Sequence, residues 1–225
     1  MPTLTLLGLG PGDLDSLTLA AWRMLTTCHR LILRTERHPC VAALRDHLPA
    51  DCVVATCDDL YEQHAEFADV YVAVVARVLD AATAGDVVYA VPGHPHVGEA
   101  TTPLLITQAA ARGIAVQTVD GLSFVEPAFA AVGVDLMDGS QALDAMLLAR
   151  QHYPQVDPCL PLLLAQVYAR WLASDVKLTL LAAYPAEHPV TLVQAVGTAQ
   201  PHTVTLPLAE LDHRDDFDHL TSLYV

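Results

Sequence analysis

The sequence predicts an α/β protein of two domains, the first built on a largely parallel sheet. Three observations carry this expectation. Five short apolar segments, residues 4–9, 31–33, 52–55, 87–91 and 115–119, alternate with stretches long enough for helices. A glycine-rich turn, Gly8-Leu9-Gly10-Pro11-Gly12-Asp13, follows the first segment, and Pro92-Gly93-His94-Pro95 follows the fourth. The later half has its own strand-like runs, so a second, mixed α/β domain over 121–225 is expected after a first domain over 1–120.

Taken in order, Leu17, Ala20, Ala21, Met24 and Leu25 recur at helical spacing and predict a helix over 16–28. Val70, Val74, Val78 and Leu79 do the same for 67–84, and Gly85-Asp86 marks the return to a strand. A helix over 102–111 is closed by Gly113. In the second half, a helix is expected to run from Gly121-Leu122-Ser123-Phe124 through Ala131, another over 142–151, and a buried strand over 160–165. Segment 174–184 matches both periods. Ser174 and Asp175 as cap and Pro185 as stop favour a helix. Residues 191–196 and 202–208 read as a hairpin, and the acidic stretch 210–218 as a solvated connector.

The chain has 26 acidic and 11 basic residues, a formal net charge of −15, which disfavours nucleic acid and anionic membranes as partners. No leader or membrane-spanning run is evident, so a cytoplasmic protein is expected. Cys28, Cys40, Cys52, Cys57 and Cys159 form no C-x-x-C pair and read as reduced thiols. Arg34, Arg37 and His38 make the one compact basic segment, either a solvated loop or an anion site.

In a parallel sheet, loops 8–13 and 92–98 can converge beyond the carboxyl ends of neighbouring strands and form a ligand crevice. The glycines have neither dinucleotide-fold nor P-loop spacing. His94 and His96 lack the further donors a metal needs, so none is expected. Asp13, Asp15, Asp58 and Asp59 read first as caps, and Tyr61, Glu62 and His64 as a substrate-facing lid. Ser123 lacks the second glycine of a nucleophile elbow.

The ordered motifs resemble the tetrapyrrole methylase family, and more closely the methylase-like domain found before MazG nucleotide pyrophosphohydrolase domains. They are Gly8 to Asp13, Leu33-Arg34-Thr35-Glu36-Arg37-His38-Pro39, the run from Tyr89 to Glu99, Gly121 to Phe124, and the run from Gln166 to Leu180. The closing residues 220–225 look like the junction ahead of a MazG domain, whose magnesium-binding carboxylates are not in this chain, so nucleotide hydrolysis is not expected of it.

The resemblance implies two α/β domains with a cleft that binds S-adenosylmethionine, usually in a homodimer. It places Leu9, Gly93, His94, Val97, Thr101, Thr102, Leu122, Ser123 and Phe124 at the cofactor, with Gln166, Val167, Val196 and Gly197 from the later half. Pro11, Tyr61, His64 and Glu99 are candidate contacts to a small acceptor, possibly tetrapyrrole-like in kind. If the acceptor must lose a proton, Tyr61, His64, His94 or Glu99 could take it. The sulfonium is already an activated donor, so positioning supplies most of the catalysis and no catalytic residue is assigned.

Two departures matter. The family commonly has Gly-Asp-Pro where this chain has Gly93-His94-Pro95, and Pro-Gly where it has Asp120-Gly121. Three readings therefore stand: a methyltransferase, a non-catalytic ligand-binding or dimerisation domain serving a MazG module, and a structural module with an empty ancestral pocket.

Overall fold

A computed structural model describes residues 2–64 and 66–225. The chain divides into two compact units, residues 1–124 and 125–225, so Gly121 to Phe124 stay with the first.

The first unit runs β1 (Thr3–Gly8), α1 (Leu19–Leu25), β2 (Arg30–Leu33), α2 (Val41–Leu44), β3 (Val53–Thr56), α3 (Asp58–Gln63), α4 (Phe67–Thr83), β4 (Val87–Val91), α5 (Thr101–Ala111) and β5 (Ala115–Val119). Its five strands are all parallel, in the order β3-β2-β4-β1-β5. Strand alternation sorts the side chains into two cores. Leu4, Leu6, Ile32, Val87, Tyr89 and Val91 pack with α4 and α5. Leu7, Leu31, Leu33, Val88 and Ala90 pack with α1 and α2 on the opposite face. All five residues of β4 are buried, as a central parallel strand covered on both sides requires.

The helix expected over 16–28 is shorter. A 3-10 turn occupies Leu14–Ser16, and α1 begins after Thr18, whose hydroxyl accepts from the Ala21 amide. The basic segment is a correction too. Arg37 stays at the surface, whereas Arg34 and His38 turn inward, 7% and 6% exposed, because Arg34 directly continues a strand whose side chains alternate between two cores. Asp58 and Asp59 do not cap: Asp58 accepts from the Thr35 hydroxyl and the Glu36 amide, and Asp59 takes both arms of Arg77.

The second unit runs α6 (Val125–Val132), β6 (Gln141–Asp144), α7 (Ala145–Ala149), β7 (Leu162–Ala165), α8 (Arg170–Leu180), β8 (Pro189–Gln194), β9 (His202–Pro207) and β10 (Thr221–Tyr224). The sheet order is β6-β7-β10-β8-β9, with only β6 and β7 parallel among neighbours. The expected hairpin is present as β8 and β9.

Three expectations fail here for identifiable reasons. Residues 141–144 pair with 162–165 as a strand, and Asp144 caps the short helix that follows by accepting from the Met146 and Leu147 amides. In the 174–184 region the helix begins earlier, at Arg170, so Ser174 and Asp175 lie in its interior and cap nothing. The acidic stretch is not a mere solvated connector. A 3-10 helix over Leu208–His213 buries Leu208 and Leu211 completely, and Asp212 grips Lys177 at 2.6 Å. Residues 221–224 take part in the sheet, since β10 lies between β7 and β8 with Leu223 fully buried.

Candidate functional site

The first unit contains a topological switch point. β1 and β4 are parallel neighbours, yet the chain leaves β1 for α1 on one face and β4 for α5 on the other. Loops that part in this way leave a crevice beyond the strand ends, the usual ligand position in such sheets.

The two glycine loops meet there. Leu9 donates its amide to Val91 O at 2.8 Å, and Gly10 and Gly93 exchange backbone hydrogen bonds of 3.1 and 2.7 Å. Gly10 has φ +76° and Gly93 φ +66°, the left-handed region that glycine occupies without strain. Gly8, Gly93 and Gly121 bring three backbones together. A Cβ on Gly8 would lie 2.5 Å from Gly93 O and 2.7 Å from Gly121 Cα. A Cβ on Gly93 would meet nothing nearer than Leu122 O at 3.9 Å, which leaves room against that backbone for another group.

His94 sits beside this room. Its Nδ1 accepts from the His96 amide at 3.0 Å, so the proton of the neutral ring is on Nε2, which faces Asp120 Oδ1 at 3.4 Å. Protonating Nδ1 would break the first bond. Thr18 donates its hydroxyl to Asp120 O, tying the start of α1 to the residue after β5. Val97 closes a turn by donating to His94 O.

Behind the loop lies a buried polar cluster. Glu99 Oε1 accepts from the Thr101 amide and hydroxyl at 2.9 and 2.6 Å, and Tyr89 donates its hydroxyl to Thr101 Oγ1 at 3.1 Å. Glu99 Oε2 faces Arg34 Nε at 3.5 Å. The Arg34 guanidinium lies 5.0 Å from the Tyr61 ring centroid and 5.2 Å from that of Tyr71. Burial opposes its charge, but the neighbouring Tyr89, Glu99, Tyr61 and Tyr71 outweigh it and hold Arg34 above the ordinary arginine range. Burial also pushes the Tyr61 hydroxyl up to about 12, so it is a proton donor and not a base near neutrality.

The sequence candidates thus fall into groups. Gly93, His94, Val97 and Leu122 surround the glycine junction, and Ser123 and Phe124 follow it, Ser123 buried and Phe124 half-buried. Pro11 is buried in the first loop. The Leu9 side chain is fully buried among Leu7, Ala21 and Leu25, so any ligand contact there is through backbone. Thr101 is spent on Glu99 and Tyr89, whereas the Thr102 hydroxyl is buried without a partner. Tyr61 packs on Arg34, and His64 is half-buried at the end of α3. Glu99 holds three donors in place, an arrangement that leaves little freedom to act as a base.

In the second unit, Gln166 and Val167 follow β7 and Val196 and Gly197 follow β8. Val167 and Ala195 donate their amides to Thr221 O and Leu220 O, so both corners are pinned to the start of β10. Gln166 and Ala195 have φ of +64° and +52°, conformations a side chain adopts at a cost. Val167 is fully buried and Val196 nearly so, while Gly197 at φ +79° is half-buried.

Tyr71 and Tyr89 are site residues that sequence reasoning did not single out for a role, and Arg34 was read only within the basic segment, as a solvated loop or an anion site. The available signal was an arginine directly continuing the apolar run 31–33. Among the described residues, no group of three His, Cys, Asp or Glu is placed to hold a metal, and no helix is long and apolar enough to cross a membrane.

Comparison with known proteins places these features in context. The family model for tetrapyrrole (corrin/porphyrin) methylases matches residues 3–212. The uncharacterized protein YabN of Bacillus subtilis (strain 168) is 36% identical over 222 residues, which cover 99% of this chain and 44% of YabN. The chain therefore spans less than half of that relative. Among solved structures, uroporphyrin-III-C-methyltransferase from Thermus thermophilus aligns with a TM-score of 0.73 at 20% identity, covering 100% of this chain and 94% of the other. The methyltransferase CobJ gives 0.72 at 17% identity, with the same 100% and 94% coverage. The Thermus thermophilus enzyme complexed with S-adenyl homocysteine gives 0.66 at 19%, covering 99% and 96%. At these identities the likeness concerns the fold.

Proposed function

The chain belongs to the tetrapyrrole (corrin/porphyrin) methylase family, and from that premise we propose that it is an S-adenosylmethionine-dependent methyltransferase acting on a small acceptor. The observation that carries the reading is the Gly10–Gly93 junction at the switch point, with open room against the Gly93 backbone. The residues present fit an adenosyl ligand. Gly93 leaves space where a side chain would intrude, and the buried Thr102 hydroxyl has hydrogen-bonding capacity unspent.

S-adenosylmethionine supplies the activated methyl group on its positive sulfonium. Gly93, His94, Val97 and Leu122 would hold it, chiefly through backbone groups. His94 Nδ1 accepts from the His96 amide, which turns Nε2 toward Asp120 Oδ1 and fixes the ring beside the junction. The enzyme's remaining task is to orient the acceptor and keep water out, so no residue is assigned to bond breaking.

Calorimetric titration with S-adenosylmethionine and S-adenosylhomocysteine tests the reading. Saturable binding of both, with no competition from adenosine or unrelated nucleotides, is expected; no binding at high protein concentration overturns it. Amide shifts in the same titration ask whether Gln166, Val167, Val196 and Gly197 respond.

The second reading is a non-catalytic ligand-binding or dimerisation domain joined to a MazG module. It is favoured by His94 in place of the family aspartate and by the greater length of YabN. Homodimerisation and a cytoplasmic setting are carried from the family resemblance, and light scattering tests the first.

A further inference from the structure

Cys28 and Cys52 form a pair at the other end of the first sheet. Cys28 lies in the connection from α1 to β2 and Cys52 directly ahead of β3, so both thiols sit at the amino ends of neighbouring parallel strands, whereas the glycine junction lies beyond the carboxyl ends. Their sulfurs are 3.7 Å apart. The backbones beside them are already fastened, because Val53 donates its amide to His29 O at 2.9 Å and Cys52 closes a turn by donating to Pro49 O. At the surface, His29 Nδ1 meets Asp51 Oδ2 at 2.9 Å, a second link between the same two connections.

The two thiols are not equivalent. Cys28 is 7% exposed and packs with Ala21, Leu25 and Leu31, whereas Cys52 is half-buried at the edge of that core. A dissolved reagent therefore reaches Cys52 first. The Cys28 thiol donates to Leu25 O at 3.3 Å, so the hydrogen between the sulfurs comes from Cys52 and a lone pair of Cys28 faces Cys52 Sγ. An attack by Cys28 on that sulfur requires this orientation. Burial, followed by the nearby Cys52 and its hydrogen bond, pushes the Cys28 thiol up to about 12, which makes it inert toward solution. Both contributions of Cys52 disappear once Cys52 is modified.

We propose that Cys28 and Cys52 form a reactive dithiol, the modification site for a small-molecule disulfide, which converts the pair into an internal disulfide. Cys52, as thiolate, attacks one sulfur of the reagent, forming a mixed disulfide and releasing one reagent thiol; Cys28 Sγ then attacks Cys52 Sγ, forming the internal bond and releasing the second. The protein gives up two electrons and both thiol protons, and the reagent takes them up as two thiols. Bringing the sulfurs from 3.7 Å to the ~2.0 Å of a bond is a small movement, and both cysteines lie outside the strand ladder, where the connections can supply it. The link would tie the end of α1 to the start of β3 and restrain the unfolded chain. This assignment is independent of the methyltransferase reading.

The test exposes native Cys159→Ser protein to glutathione disulfide at pH 8, since Cys159 is exposed and would otherwise form adducts and links between chains. Acid quenching and peptide mapping by mass spectrometry are expected to show a glutathione adduct on Cys52 that gives way to a Cys28–Cys52 linked peptide, reversed by excess glutathione. Adding Cys28→Ser should prolong the Cys52 adduct about tenfold or more, and adding Cys52→Ser should leave Cys28 unmodified. The linked form should unfold at a higher temperature than the reduced form, a difference absent from both double variants. The peptide map of the Cys159→Ser protein needs no core substitution, so it decides the matter even if Cys28→Ser fails to fold. No reaction at either thiol, a Cys52 adduct that persists, a link to Cys40 or Cys57, a Cys28–Cys52 link that forms only in urea, or a linked form no more stable than the reduced one would each overturn the assignment.

Discussion

Gly10 and Gly93 are joined by a reciprocal pair of backbone hydrogen bonds, although they belong to loops that follow two different strands and depart to opposite faces of the sheet. The junction locks the mouth of the switch point. It also separates glycines needed for packing from one that leaves space.

That separation is measurable. Gly8→Ala and Gly121→Ala drive a Cβ into backbone at 2.5 and 2.4 Å, and each is expected to cost about 2–3 kcal/mol or more in denaturant unfolding. Gly93→Ala meets no such wall and bears only the left-handed strain of about 1–2 kcal/mol. Its larger effect is expected on S-adenosylhomocysteine affinity, read by calorimetry.

His94→Asp exchanges an imidazole for a carboxylate beside Asp120. S-adenosylmethionine is cationic at sulfur and S-adenosylhomocysteine is not, so their affinity ratio reports charge. The ratio is expected to shift toward S-adenosylmethionine by about fivefold, near 1 kcal/mol. An unchanged ratio would mean that recognition there is through backbone alone.

The Lys177–Asp212 pair predicts a pH dependence. The bond to Lys177 holds the Asp212 carboxyl below the usual aspartate range. Its folded-state value is depressed, so its stabilisation is complete above the unfolded value of about 4 and is lost as pH falls through the folded one. Asp212→Asn should flatten the decline in stability between about pH 5 and pH 2. Lys177→Met is expected to cost about 1–3 kcal/mol at neutral pH, because the shielded Asp212 carboxylate loses its counter-charge and keeps only the Ser174 and backbone hydrogen bonds.

Thiol chemistry should divide the five cysteines. Burial pushes Cys28 and Cys40 up to about 12 and Cys57 to about 11, whereas Cys159 is exposed. Alkylation at pH 8 followed by mass spectrometry is expected to label Cys159 first and leave those three unmodified until the chain unfolds.

The strands of the first unit were legible because their apolar runs are continuous and bounded by glycine, proline and aspartate. Residues 87–91 and 115–119 are strands with the expected bounds, and 67–84 is a helix almost to the residue. The glycine loops were legible as a pair for the same local reason. In the second unit, residues 141–144 form a strand only because 162–165 supply its partner, information that local periodicity does not contain.

The amino-acid order by itself determined where the chain turns, which segments are apolar enough to be covered, and which family motifs it bears. Those properties depend on near neighbours. The tertiary structure alone decided that Arg34 and His38 point inward, that Glu99 is committed to Arg34 and Thr101, that residues 221–224 form an inner strand, and that Gly8, Gly93 and Gly121 share one contact. Each of these depends on burial and on hydrogen-bond partners far away in the chain, which exist only once the sheets have assembled.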